Sequence, residues 1–111
     1  MVSSVIQDLK KSLLDFTNIL YIGSFNEFKF DFSDETIVYH SIQNNAYVWE
    51  TAPDMRHNIY LHNITKDEDL DYLKGLVVEV ILIKRNLTNY QLSVIKNLSS
   101  YKEKRIINLG G

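Results

Sequence analysis

A short motif occurs twice in the second half of the chain, and it constrains the possible fold more than any other feature. Residues 63–68 read NITKDE, and residues 86–91 read NLTNYQ. In each copy a threonine stands three positions before Glu or Gln, which is the pattern of a capping box at the start of a helix. Each copy follows an apolar stretch and precedes leucine or isoleucine at every third position. The motif therefore predicts two consecutive strand–helix units, with Thr65 and Thr88 as the helix caps.

The segments around the second motif complete this half of the chain. The apolar run 77–83 does not alternate, so it predicts a strand that is buried on both faces of a sheet. The second helix is predicted to run from Thr88 to about Lys102, and residues 105–109 predict a closing strand. The second half therefore reads β-α-β-α-β.

The first half predicts one helix and a set of antiparallel strands. Apolar residues at three- and four-residue spacings over residues 3–20 predict an amphipathic helix. From Phe28 to Phe32, phenylalanine alternates with charged residues, which is typical of a half-buried strand. Residues 36–42 and 46–51 predict two more strands, because they are rich in aromatic and β-branched residues.

Together these patterns predict an α+β protein. An N-terminal helix is followed by a three-stranded antiparallel meander and then by β-α-β-α-β, which gives a mixed sheet of about six strands. At 111 residues the chain is long enough for one core and too short for two, so we expect a single domain over residues 1–111.

The composition excludes several classes of chemistry. The chain has no cysteine, which excludes a disulfide, a thiolate nucleophile and cysteine-bound zinc. Its net charge of −2 argues against non-specific binding to nucleic acid, which leaves a basic footprint on a protein. The sequence has no signal-peptide pattern and no apolar run long enough to cross a membrane. We therefore expect a soluble cytoplasmic protein that binds neither nucleic acid directly nor a membrane.

Residues 59–109 resemble a weak leucine-rich repeat, in which a strand is followed by an apolar–threonine step and a ladder of leucines. The resemblance departs from the family where the family has an asparagine, because this chain has His62 and Arg85 there. The asparagine ladder of a true horseshoe is therefore missing. The resemblance implies tandem right-handed crossovers between parallel strands, and it implies protein binding by analogy with repeat proteins.

The three histidines are the only side chains that titrate near neutral pH without help. His57 and His62 are placed to face opposite sides of one strand. His40 and His62 occupy matching places in similar apolar frames, which predicts that they lie on adjacent strands. With Glu50 or Asp54 they could form an acid–base or metal site, which is the hypothesis of a small histidine-dependent enzyme. Their spacing matches no known metal or catalytic signature, so no catalytic or metal-binding residue is assigned.

The glycines give a second alternative. None of Gly23, Gly75, Gly110 and Gly111 is predicted to open a helix after a strand, so no phosphate-binding loop and no cofactor are expected. The last residues, Leu109-Gly110-Gly111, resemble the tail of ubiquitin-like modifiers and sulfur carriers. That resemblance implies a function through the activated carboxylate of the terminal glycine. The chain departs from that family by starting with a helix.

Aromatic residues of the meander are the candidates for contact with a partner. Tyr47 and Trp49 are predicted to face the same way, and Tyr and Trp are residues that anchor protein interfaces. The alternative is that both side chains belong to the core. Acidic residues nearby are expected to steer a basic partner. The predicted partner-binding residues are Tyr47, Trp49, Glu50, Asp54, Asp31, Asp34 and Glu35.

The preferred function is therefore that of a small intracellular protein-binding inhibitor and not of an enzyme. Toxin-neutralising immunity proteins and antitoxins fit this description, because they cover the functional surface of a toxin or nuclease. The carrier and the histidine-dependent enzyme are the alternatives.

Overall fold

The computed structural model describes residues 4–13, 16–33, 37–41, 46–52 and 55–110, and its centre is a mixed sheet of six strands. In chain order the elements are α1 (Ser4–Ser12), β1 (Thr17–Ile22), α2 (Phe25–Asp31), β2 (Ile37–Ser41), β3 (Ala46–Ala52), β4 (Met55–His62), the 3₁₀ helix η1 (Asp67–Leu73), β5 (Val80–Ile83), α3 (Asn89–Lys96) and β6 (Arg105–Asn108). The predicted α+β class, with an N-terminal helix and a mixed six-stranded sheet, is confirmed.

The strands lie in the order β2-β3-β4-β1-β5-β6. The last four strands, β4-β1-β5-β6, are parallel to one another, whereas β3 is antiparallel to both of its neighbours, β2 and β4. The antiparallel meander is therefore β2-β3-β4. The connection from β4 to β5 crosses β1, so the strands of the two units that carry the repeated motif are not neighbours in the sheet. Their helices η1 and α3 do lie side by side, where Gln91 donates a hydrogen bond of 3.0 Å to Asp67.

The side chains of the central strands alternate between two cores. On one face, Ile19 and Tyr21 of β1 pack with α1 and α2. On the other face, Leu20 and Ile22 pack with η1 and α3. Each aliphatic side chain buried in this way stabilises the fold by about 1.5–3 kcal/mol.

The predicted helix over residues 3–20 is wrong in its second half. α1 ends at Ser12, and residues 17–22 form β1, the central strand. All six residues of β1 are buried, because helices cover both faces of the sheet there. A strand that is apolar on both sides has no period of two, so its residues also fit the helical pattern. In the described segments, no helix is long and apolar enough to cross a membrane.

The predicted strand from Phe28 to Phe32 is also wrong, because these residues belong to α2 and its C-terminal end. The Ser24 side chain accepts a hydrogen bond from the backbone N–H of Glu27, and the Glu27 carboxylate accepts one from the backbone N–H of Ser24. This capping box sets the start of the helix. As a result, Phe28 and Phe32 lie on the helical face that packs on the sheet.

The second half follows the predicted order of strands and helices, but its first helix is the 3₁₀ helix η1. The second helix, α3, ends at Lys96 and not at about Lys102 as predicted. The predicted box at Thr88 is confirmed, since Thr88 and Gln91 exchange hydrogen bonds of 3.0 and 3.1 Å.

The predicted pairing of Thr65 with Glu68 is wrong. The Asp69 carboxylate accepts a hydrogen bond of 2.9 Å from the backbone N–H of Thr65. This hydrogen bond is the main cause that lowers the pKa of the Asp69 carboxyl group. The helix that follows, η1, is a 3₁₀ helix whose N-cap is Lys66 and not Thr65, so Asp69 and not Glu68 is its third residue. Asp69 also accepts a hydrogen bond from the backbone N–H of Lys66.

Candidate functional site

An exposed pair of aromatic rings lies between α2 and β3. The rings of Phe25 and Tyr47 are nearly parallel, with centroids 6.4 Å apart and planes 17° apart. Phe25 is 51% exposed, and Tyr47 is half-buried. Tyr47 also packs against the buried ring of Phe28, at a centroid distance of 4.9 Å. We call Phe25 and Tyr47 the aromatic ridge; its outer ring reaches solvent and its inner ring is anchored on the core.

Open clefts lie on both sides of the aromatic ridge. The first has a volume of about 360 Å³ and is also lined by Gly23, Leu61 and Asn63. The second, which we call the α2–β2 groove, has a volume of about 250 Å³. The groove is lined by Phe25, Phe28, Lys29, Phe32, Ser33, Ile37 and Tyr47. The ridge therefore separates two depressions that side chains of another molecule can enter.

The helical conformation of α2 positions these groups. Phe25, Phe28 and Phe32 recur at three- and four-residue spacings, which places them on one side of a helix. Lys29 lies one turn after Phe25, with its Nζ 5.4 Å from the centre of that ring. Phe25, Phe28 and Phe32 are not among the predicted site residues, because the phenylalanine alternation predicts a strand here and not a helix. The Ser24–Glu27 capping box was the signal that could have identified the helix.

Trp49, predicted as a partner-binding anchor, lies inside the protein. Its side chain is 0% exposed, and its ring packs edge-on against Phe32 at a centroid distance of 5.3 Å. Tyr47 does face the same way, toward the core between the sheet and the helices. The two residues differ because the C-terminal end of α2 covers Trp49, whereas the start of α2 leaves part of Tyr47 open. Trp49 is therefore a core residue.

Asp31, predicted as a steering acid, is 1% exposed and cannot act as a surface charge. Its Oδ2 accepts a hydrogen bond of 2.5 Å from the hydroxyl of Tyr21. Its Oδ1 accepts one of 3.4 Å from Lys84 Nζ. These bonds join the end of α2 to β1 and to the residue after β5. Burial, followed by the hydrogen bond to Asp31 and the charge of Asp31, raises the pKa of Tyr21 above its usual value.

We expect Tyr21→Phe to remove part of the sensitivity of the fold to alkaline pH. Because the folded state holds the Tyr21 proton more tightly, the contribution of this group is complete below the pKa of free tyrosine, near 10. It is lost as the pH rises beyond that value, at up to about 1.4 kcal/mol per pH unit. Urea unfolding from about pH 7 to about pH 11 should therefore show a smaller loss for Tyr21→Phe than for the wild type. If the free energy of unfolding fell equally with pH in the two proteins, Tyr21 would not be the group that holds its proton more tightly in the folded state.

Of the remaining predicted acids, the structure describes only Glu50. Glu50 forms an ion pair of 3.3 Å with Arg56, its cross-strand neighbour on β4. Arg56 is exposed and Glu50 is partly exposed, and ion pairs in contact with solvent contribute little to stability. Asp34, Glu35 and Asp54 lie outside the described residues.

The histidines do not form the predicted cluster. His57 and His62 do face opposite sides of β4, but β3 lies between the strand of His40 and that of His62. The prediction that those two strands are adjacent is therefore wrong. His62 Nε2 lies 2.7 Å from the carbonyl oxygen of Asp69, and His57 Nε2 lies 3.3 Å from Thr51 Oγ1. Within the described segments, no group of three or more His, Asp or Glu side chains could hold a metal ion.

Gly23 stands between β1 and α2, contrary to the expectation that no glycine opens a helix after a strand. A Cβ at this position would lie 2.9 Å from the Tyr21 ring and 3.0 Å from Lys84 Cβ. The glycine therefore permits close packing, and its N–H donates to the carbonyl of His62. At the other end of the chain, Leu109 is still bonded to β5, through Ile83. Gly111 lies outside the described residues, so the carrier hypothesis stays a prediction.

No protein-family model and no curated protein matches this chain. Its fold is similar to part of the large terminase from a thermophilic bacteriophage. One crystal form has a TM-score of 0.66 and 10% identity, over 95% of this chain and 29% of that chain. A second, in complex with ADP, has a TM-score of 0.65 and 12% identity, over 95% and 28%. The chain spans less than a third of the terminase chains, and at these identities the likeness shows a common fold alone.

Proposed function

We propose that this protein acts by binding another protein through the aromatic ridge and the two clefts beside it. The observation that carries the proposal is the exposure of Phe25 beside a second ring that the core holds in place. Binding energy at protein interfaces concentrates on a few aromatic anchors that sit next to pockets. An anchor whose neighbour is already packed loses little side-chain entropy on binding. The ridge has this arrangement.

The shape of the clefts favours a protein over a small molecule. Sites for small molecules enclose most of the surface of their ligand. Both clefts here are shallow and open, and they share Phe25 and Tyr47 as a common wall. A partner can therefore place one side chain on each side of the ridge, as one protein surface fits another.

We further propose that the partner is inhibited, as in toxin-neutralising immunity proteins and antitoxins. Covering a functional surface requires contact residues and no catalytic set of its own. The two described acids that were expected to steer the partner are not free surface charges, because Asp31 is buried and Glu50 is paired with Arg56. Of the original candidates, Tyr47 carries this proposal, now together with Phe25 of α2.

A photo-crosslinking experiment tests the proposal. A photoreactive phenylalanine analogue replaces Phe25 in cells that express the protein, and crosslinked species are identified by mass spectrometry. The same analogue at Tyr90, which is 61% exposed on α3, is the matched control. We expect one dominant protein to crosslink at the Phe25 position and not at the Tyr90 position.

Affinity measurements with the purified partner then test the two rings. We expect Phe25→Ala and Tyr47→Ala each to weaken binding at least about tenfold, since loss of a hot-spot residue costs more than about 1.4 kcal/mol. Tyr90→Ala should bind like the wild type. The partner's activity should fall as wild-type protein is added and should be unaffected by the Phe25→Ala/Tyr47→Ala double variant. Wild-type affinity in both single variants, with folding checked by circular dichroism, would refute the proposal.

A further inference from the structure

The α2–β2 groove lies beside β2, which is one of the two edge strands of the sheet that the structure describes. Within the described residues, β3 is the only strand that pairs with β2. One wall of the groove comes from α2, and Ile37 of β2 forms part of the other. Tyr47 of β3 lies between these walls. A helix, an apolar groove and an open strand edge therefore adjoin one another.

We propose that the partner inserts an extended segment, which adds to β2 as a further strand and places an apolar side chain in the α2–β2 groove. This inference rests on the proposed function and specifies the chemistry of the partner. The outer edge of a strand presents alternating backbone N–H and C=O groups, and another extended backbone matches that pattern. An added strand would lie about 4.8 Å from β2.

The alternation of side chains connects the strand edge with the groove. Ile37 packs against the core on the α2 side, whereas Val38 is exposed on the opposite side of the sheet. In an added strand every second side chain points to the α2 side, where it lies next to Ile37 at the mouth of the groove. The groove is lined mainly by aromatic and aliphatic groups, so an aliphatic or aromatic side chain is the one that fits.

The size of the surface favours a short segment over a second copy of the chain. β2 has five residues, and the groove takes one side chain or a few. A stable interface between folded proteins buries at least about 1,000 Å². A five-residue edge with one small groove falls short of that area, whereas strand addition obtains much of its affinity from main-chain hydrogen bonds.

The experiment uses a display library of random ten-residue linear peptides, selected against the full chain. Binders are resynthesised with a single backbone N-methyl group moved along the peptide. We expect N-methylation to weaken binding at least about tenfold at alternate residues and to have little effect at those between them, because an added strand bonds to its neighbour through every second residue. Peptide binding should slow hydrogen exchange of β2 amides, and it should be lost in Phe25→Ala and kept in Tyr90→Ala.

The following results would overturn the inference. The selection could recover no binding peptide. N-methylation could weaken binding without alternating along the peptide, or bound peptides could fail to slow the hydrogen exchange of the β2 amides. Protection of β2 in the free protein together with a dimer in sedimentation would instead assign the edge to a second copy, and this too overturns the inference. If the cellular partner still depends on Phe25 and Tyr47 in any of these cases, the proposed function stands and only the strand-addition mode fails.

Discussion

Trp49→Ala is expected to lower the free energy of unfolding by about 3–5 kcal/mol, the range found when a large buried aromatic residue is truncated. The side chain is fully buried between Phe32 of the α2 end and His57 of β4, so its removal leaves a cavity that the rigid sheet cannot fill. Domains of this size are stable by only about 5–15 kcal/mol, so the change is a large part of the total. Urea unfolding followed by circular dichroism measures it.

Two comparisons separate the core role of Trp49 from a role in partner binding. Tyr90→Ala removes an exposed aromatic ring and should change stability by less than about 0.5 kcal/mol. Trp49 is the only tryptophan, so its fluorescence in the wild type should be blue-shifted and protected from acrylamide quenching. A loss of less than about 1 kcal/mol in Trp49→Ala, or easily quenched fluorescence, would show that the residue is not packed in the core.

Asp31→Ala is expected to destabilise the fold by about 3 kcal/mol, because it breaks a partly buried ion pair and leaves the buried Tyr21 hydroxyl without its acceptor. Most of this loss in stability comes from the Tyr21 hydroxyl, which is left without a hydrogen-bond acceptor although Tyr21 is fully buried. Lys84 is partly exposed and can turn toward water once its partner is gone. The midpoint of urea unfolding measures the change.

Asp31→Asn provides the matched control. The amide keeps the shape of the side chain and an acceptor for the Tyr21 hydroxyl, but it loses the charge that pairs with Lys84. We therefore expect a loss of about 1–2 kcal/mol, between that of Asp31→Ala and the wild type. If Asp31→Ala and Asp31→Asn were both as stable as the wild type, Asp31 would have to be an exposed surface acid and not a buried one.

Substitutions at Trp49 and Asp31 also distinguish core residues from binding residues among the predicted partner-binding set. Trp49 and Asp31 were grouped with Tyr47 as partner-binding residues, and the fold places the first two inside. Stability measurements on Trp49 and Asp31, and binding measurements on Phe25 and Tyr47, should therefore give opposite patterns. The first pair should affect unfolding strongly, whereas Phe25→Ala should affect binding with a small change in stability, because that ring is half exposed.

The second half of the fold could be predicted because its signals are local. The box of Thr88 and Gln91 bonds within one turn of helix, so its pattern in the sequence is also its contact in the structure. The first half contains the same kind of signal at Ser24 and Glu27. There the alternation of Phe28, Phe30 and Phe32 also fits a strand, and the strand prediction rested on that alternation alone.

The aromatic site could be predicted only in part, for a different reason. Tyr47 and Trp49 occupy equivalent positions two residues apart on β3, and nothing in their local sequence distinguishes them. Their exposure depends on where α2 lies over the sheet, which is a contact between segments distant in sequence. The cleft partners Phe25 and Ile37 come from two further elements, so no spacing along the chain connects them with Tyr47.

Local sequence patterns were enough to predict the α+β class, the order of the elements from β4 to β6 and the helix start at Thr88. They were enough because strand alternation and helix capping act over a few residues. Long-range packing was needed to place β1 between β4 and β5, and to bury Trp49 and Asp31 while Phe25 and Tyr47 stay open. The burial of a side chain depends on which distant segment covers it. The packing of the helices on the two faces of the sheet determines that. The repeated motif therefore defines strand–helix units, whereas the candidate site belongs to α2, β2 and β3.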